Sequence, residues 1–254
     1  MKNNVTFSAY YSVPDNTKYT AELGHVRRAK RNPPDYFISD QYYDFTNSLY
    51  MSFNDLPSLP YLTNLRENCL NKERVFTKAG YLRGKHMSAW GYFRLATIWT
   101  SKLMLFETIA HEGNFEYVTW VDCINRWNFE ELMSVKNPTN ILIGEYASTF
   151  NKGIFGGAVS PSLLPKQKLL GSVIKIPTKI LPEVIERYKS TLQQVDRNFE
   201  VYDDEIVLSV MNHEYPELFT VLPAKPSPKF TYDFISKEIV LQSQNEQRIC
   251  HEVG

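Results

Sequence analysis

The chain has 254 residues, enough for one large α/β domain with a modest extension. Its 28 Lys and Arg balance 28 Asp and Glu, which weighs against a protein whose main task is to coat a nucleic-acid backbone, since that needs a basic surface. Cys69, Cys123 and Cys250 lie far apart with no CxxC or Cys/His spacing, so neither a disulfide framework nor a zinc site is indicated. There is no signal-length apolar region at the start and no apolar run of the roughly 18 residues a membrane helix needs, so a soluble, cytoplasmic protein is expected.

In chain order, Val5–Tyr11 is rich in β-branched and aromatic residues and predicts an opening strand, stopped by the turn cluster Val13-Pro14-Asp15-Asn16. Residues 17–31 predict a short helix ending in the basic run Arg27, Arg28, Lys30 and Arg31, with Pro33 and Pro34 beyond it. Asp35–Asp40 predicts a second short strand, and residues 41–65, with Pro57 and Pro60, a long loop with local turns. The helical spacing of Phe93, Ala96, Trp99, Thr100, Leu103, Phe106 and Ile109 predicts one helix between Ser88 and Ile109, closed by Gly113.

A strand from Tyr117 follows at once, running Tyr-Val-Thr-Trp-Val into Asp122. Ile141–Tyr146 predicts another strand, and Ile154–Val159 a further one broken by glycines. The stretch after Pro161 has amphipathic character, with Leu181–Phe199 the clearest helix. Asp203-Asp204-Glu205 opens a last helix over Ile206–Met211. From Pro223 the chain turns polar, so residues 1–222 are expected to form the domain and 223–254 a C-terminal extension packed on it. Alternation of strands and helices predicts an α/β fold with a mostly parallel central sheet flanked by helices.

Several residue groups in this frame carry chemistry. Asp122 sits where a strand ends, and in open α/β sheets ligands gather at the carboxyl ends of strands. A carboxylate there suits a hard divalent cation, Mn²⁺ or Mg²⁺, completed by substrate phosphates; equally, it suits a helix N-cap. Asn125, three residues on, offers a neutral oxygen. Gly156 and Gly157 permit close backbone approach to a ligand, or a β-bulge. Asp204 and Glu205 open a helix, where capping is the ordinary explanation and general-base work on a hydroxyl the functional one. His213, about two turns later, is a surface residue or a metal ligand, and Lys102 a solvated helix lysine or a phosphate contact. No Walker loop, GxGxxG, GxSxG or HExxH is present, which argues against P-loop kinases, Rossmann dehydrogenases, α/β-hydrolases and zincins.

The order W-T-S-K-L at 99–103, F-E-Y-V-T-W-V-D at 115–122, I-F-G-G-A at 154–158 and D-D-E-I-V-L-S-V-M-N-H-E-Y-P-E-L-F at 203–219 resembles the HtrL/YibB family of bacterial proteins. That family looks like a group of nucleotide-sugar-dependent glycosyltransferases with a GT-A-like, Rossmann-like domain. The resemblance spans roughly residues 88–220. It implies transfer of a sugar from a nucleotide-sugar donor to a hydroxyl of a glycan or polysaccharide, with Asp122 holding a metal–diphosphate and Lys102 approaching the donor. Gly156 and Gly157 would shape a donor or acceptor loop, and Asp204 or Glu205 would face the acceptor. The chain departs from the GT-A pattern at Asp122-Cys123-Ile124, where many such enzymes carry Asp-x-Asp. Two alternatives follow: a non-catalytic binding protein that keeps the fold, and a transferase acting on modified DNA bases through the basic run 25–31 and the aromatic segment 36–53.

Overall fold

The computed structural model describes residues 3–13, 22–71, 88–123, 129–145, 165, 167–223, 230–233 and 238–241. Strands β1 (Asn4–Tyr10), β2 (Tyr36–Ser39), β3 (Ser48–Tyr50), β4 (Tyr117–Val121), β5 (Ile141–Glu145), β6 (Leu169–Pro177) and β7 (Phe219–Leu222) form one sheet in the order β3-β2-β1-β4-β6-β5-β7. Pairing is parallel except along β6, which runs antiparallel to both neighbours, β4 and β5. The fold is therefore α/β with a mostly parallel sheet, as the alternating pattern predicts. A separate hairpin, β8 (Phe230–Asp233) with β9 (Glu238–Leu241), lies within the stretch expected as a C-terminal extension.

The helices are α1 (Glu22–Arg31), α2 (Thr63–Asn71), α3 (Ala89–Ser101), α4 (Leu105–His111), α5 (Phe129–Ser134), α6 (Leu181–Asn198) and α7 (Asp204–Glu214). Both faces of the sheet are covered, and the period of two along each strand sorts the layers. Val5 and Phe7 of β1, Ile141 and Ile143 of β5, and Ile174 and Ile176 of β6 share the main core with Phe106, Tyr188, Leu192, Val207 and Met211 from α4, α6 and α7. On the other face Tyr10 and Phe37 meet Val26 and Ala29 of α1, while Leu142 and Val173 meet Leu132 of α5. The basic run on α1 is this helix's outer side: Arg27, Arg28, Lys30 and Arg31 are exposed.

Several elements differ from the sequence expectation; α5 and β7 fall where no element is expected. The helix anticipated over 88–109 is two, because backbone bonds around residues 102–104 tighten to i→i+3: Lys102 N–H donates to the Trp99 carbonyl and Phe106 N–H to that of Leu103. Thr97 and Thr100 also turn their hydroxyls onto the Phe93 and Ala96 carbonyls, a contact that bends helices. The loop expected over 41–65 contains β3, two 3₁₀ turns and the start of α2. Strand β6 falls in the span read as amphipathic; it is buried along its whole length on both faces, so it carries no polar/apolar alternation to read. The glycine-broken strand expected over Ile154–Val159 lies outside the described residues.

Candidate functional site

Strand order reverses direction between β1 and β4, and in such sheets the ligand crevice lies outside the carboxyl ends of the strands at that switch. Asp122 is the first residue past β4, beside the end of β1: the Ser8 hydroxyl donates to the Val121 carbonyl, and Cys123 Sγ lies 3.6 Å from the Ala9 carbonyl oxygen. On its other side Asp122 N–H donates to Ser172 O at 2.8 Å. The carboxylate thus stands at the end of a strand held from both flanks.

The break between α3 and α4 delivers Lys102 to the same point. Its side chain is 7% exposed, and Nζ lies 3.3 Å from Asp122 Oδ1 and 2.9 Å from Asp204 Oδ2. It also donates to the Gly171 carbonyl at 3.3 Å. Gly171 reaches that position through a register shift in the β5–β6 pairing: Ile143 faces Ile174, but the next residue, Gly144, faces Leu170. Such bulges cluster next to functional sites, where they re-aim backbone groups. A Cβ on Gly171 would lie 2.4 Å from Asp204 Oδ2, so a side chain there would force the carboxylate or the strand to shift.

Trp120 completes the arrangement. Its indole N–H donates to Asp122 Oδ1 at 2.9 Å, and its ring lies under Lys102 Nζ at 5.4 Å from the centroid. Edge-to-face packing on Phe7, with centroids 5.2 Å apart, fixes the ring. Oδ1 of Asp122 therefore receives both the ammonium and the indole. The Asp122 side chain keeps 26% exposure, whereas that of Asp204 keeps 5%.

At the start of α7, Asp203 caps the helix by accepting from Ile206 N–H at 3.0 Å. Asp204 turns inward to Lys102, and Glu205 pairs with Lys168 at 3.2 Å, nearer the surface. Burial pushes the Asp204 carboxyl up to about 8, helped by the neighbouring Glu205 and Asp203 charges and opposed by Lys102. Burial works against the Lys102 charge, but Asp122, Asp204 and Glu205 outweigh it, and its pKa is raised above the ordinary 10.5. The directions agree physically: the ammonium is the firmly charged partner, and Asp204 is a carboxylate close to losing its charge.

Of the residues singled out in the sequence, the fold brings Lys102, Asp122 and Asp204 together, with Glu205 adjacent. His213 is exposed in the last turn of α7, about 13 Å along the helix axis from Asp204. It does not join the cluster. Asn125, Gly156 and Gly157 lie outside the described residues. Trp120 and Gly171 were not singled out, although Trp120 stands two residues before Asp122 in the segment 115–122 that carries the resemblance.

The donor set fits a divalent cation poorly. Among the described residues, no three His, Cys, Asp or Glu side chains gather to hold a metal. Both carboxylates already share one ammonium, so a dication on the outer oxygen of Asp122 would compete with Lys102 for the same group.

No family model matches the chain, and no curated protein does. Among solved structures, mouse xyloside xylosyltransferase 1 in its apo form is similar with a TM-score of 0.45 at 12% identity, covering 86% of this chain and 85% of that one. A likeness at this level adds nothing to the chemistry of the site, which rests on the geometry above. No helix among the described residues is long and apolar enough to cross a membrane.

Proposed function

We propose that the chain is a glycosyltransferase of the GT-A-like kind, moving a sugar from a nucleotide-sugar donor to a hydroxyl on a carbohydrate acceptor. One observation carries this: residues 102, 122, 171 and 204, from four separate segments, converge on the carboxyl end of β4 at the sheet's switch point. Packing alone gives little reason to gather a lysine and two carboxylates there, since a buried ion pair is often no more stabilising than apolar residues of the same volume.

In this reading the outer oxygen of Asp122 accepts a hydrogen bond from a hydroxyl of the donor, and Lys102 supplies positive potential where the departing diphosphate gathers charge. Glu205, the less buried acid of the pair, takes the proton from the acceptor hydroxyl. Asp204 holds Lys102 in place. Asn125 would offer a neutral oxygen to the donor, Gly156 and Gly157 would shape a donor or acceptor loop as the HtrL/YibB resemblance implies, and membership of that family is part of the proposal.

The test is release of nucleotide and free sugar from a panel of UDP-, GDP- and CMP-sugars without acceptor. The wild type is expected to hydrolyse one donor class slowly, and Asp122→Asn to lose most of that activity while melting normally. A donor that binds but is never cleaved or transferred would favour a binding protein, for which the inward-turned Asp204 speaks. No binding of any donor would remove the transferase.

A further inference from the structure

We propose that Tyr42 and Tyr50 form a carbohydrate platform, an acceptor subsite that holds one sugar ring of an oligosaccharide away from the hydroxyl that reacts. The inference rests on the transferase reading and names the class of its acceptor.

Strands β1 to β4 run parallel, so their carboxyl ends share the sheet edge on which Asp122 stands. Tyr42 follows β2 by three residues, and Tyr50 ends β3. Their rings stack with centroids 5.6 Å apart and 18° between planes, yet the two residues are 83% and 58% exposed. Burial therefore does not explain the pairing. Tyr43 and Phe45, from the same loop, turn inward onto Phe37 instead. A tyrosine offers an apolar ring face and a polar rim, which matches a sugar ring with a C–H face and hydroxyls around it.

The groups beside Tyr50 are polar and incompletely bonded. Just past β3, the Arg94 guanidinium of α3 lies over the Phe53 ring, 3.9 Å from its centroid, and its buried Nε has no hydrogen-bond partner. Tyr11, directly after β1, is 1% exposed, and its hydroxyl also lacks a partner. Burial first, then Asp40, Asp55 and Tyr50, keep that hydroxyl protonated. Burial also raises the Asp40 carboxyl, and Arg94 opposes it. Donors and carboxylate acceptors thus lie together near the tyrosines, the mixture that a ring of hydroxyls needs.

Charge selects the partner. Asp40, Asp44 and Asp55 each stand within five residues of one tyrosine of the pair. A phosphate backbone would be repelled by these carboxylates, whereas a neutral glycan meets no repulsion. From β3 to β4 is three strand spacings, about 14 Å. Helix α3 bridges the same interval, with Arg94 and Lys102 eight residues, or about 12 Å, apart. A ring on the tyrosines is therefore not the ring that receives the sugar, and the acceptor runs along the edge toward Asp122.

The experiment is calorimetric titration of the full chain, without donor, with cellohexaose, chitohexaose, mannohexaose and maltohexaose and with their monosaccharides. One hexasaccharide is expected to bind at least about tenfold more tightly than its monosaccharide. Tyr42→Ala/Tyr50→Ala should lose more than about tenfold of that affinity, and Tyr42→Phe/Tyr50→Phe, which keeps both rings, should stay within about threefold. Equal affinity in the alanine pair, or no hexasaccharide binding by the wild type, would overturn the platform. The same proteins are titrated with UDP, GDP and CMP. A nucleotide lost in the alanine pair would assign the rings to the donor's base, overturning the platform and leaving the transferase reading standing. Hexasaccharide binding through the tyrosines with no nucleotide bound would keep the glycan surface and remove the transferase.

Discussion

Lys102 Nζ lies 2.9 Å from Asp204 Oδ2, and the two side chains, 7% and 5% exposed, meet between the end of one helix and the start of another. Removing Lys102 leaves Asp204 to take up a proton and lose its partner, so the cost is that of an unsatisfied buried group rather than of a bare charge. Lys102→Met is therefore expected to destabilise the fold by about 1–3 kcal/mol. Adding Asp204→Asn should restore most of that loss. Urea unfolding of both single variants and the double variant measures it, and additive losses would show that the two groups do not interact.

Gly171→Ala tests the close approach of β6. The added methyl would sit 2.4 Å from Asp204 Oδ2, so either the carboxylate or the strand must move. A loss of about 1–3 kcal/mol is expected, the range for forcing extra volume into a packed site. Nucleotide affinity should fall with it. Unchanged stability and affinity would mean that the strand tolerates a side chain at this position.

How much of this was legible in the sequence depends on the scale of the signal. Asp122 and Asp204 each stand at a boundary that composition marks, a strand end and an acidic helix start, whereas Lys102 sits within an unbroken apolar helical period. Their meeting is a long-range fact set by the register of β6, the strand that the pattern hid because both of its faces are buried. The break at Lys102 was invisible for a related reason. The apolar spacing of 93–109 continues through the turn, since Leu103, Met104 and Leu105 are all buried there. Trp120 is a core aromatic within an apolar strand; its second task, donating to Asp122, depends on where the indole edge points.

Trp120→Phe keeps the ring packed on Phe7 and removes the donor. A hydrogen bond to a charged group contributes about 1.5–3 kcal/mol, and with Asp122 partly exposed the low end applies. Nucleotide binding or turnover should weaken by about tenfold. A variant with wild-type kinetics would show that Lys102 alone orients the carboxylate.

Stability should depend on pH through Asp204. Its folded-state pKa is raised from 3.8 to about 8 by burial, so between these values the native state holds a proton that the unfolded chain has released. Stability is then greatest below the lower value and falls as pH rises through the window. Lys102, raised above 10.5, keeps its charge in both states across that range and adds no slope. Denaturation midpoints near the two ends of the window should fall toward alkaline pH in the wild type and flatten in Asp204→Asn. Equal slopes would assign the dependence elsewhere.

Glu205→Gln separates the two acids at the start of α7. Glu205 pairs with Lys168 near the surface rather than with Lys102. It should lower kcat strongly while leaving donor affinity within about threefold. The opposite split would make Glu205 a donor-binding group and leave the base unidentified.

The central claim is that Asp122 holds a nucleotide donor at the carboxyl end of β4. Its most direct test is titration of the wild type and of Asp122→Asn with UDP, GDP and CMP. The variant keeps the shape of the side chain and an oxygen for the Trp120 indole, so it should remain folded. Binding of one nucleotide by the wild type, weakened by more than about tenfold in the variant, is the result expected. Equal affinity in the two proteins would contradict the account.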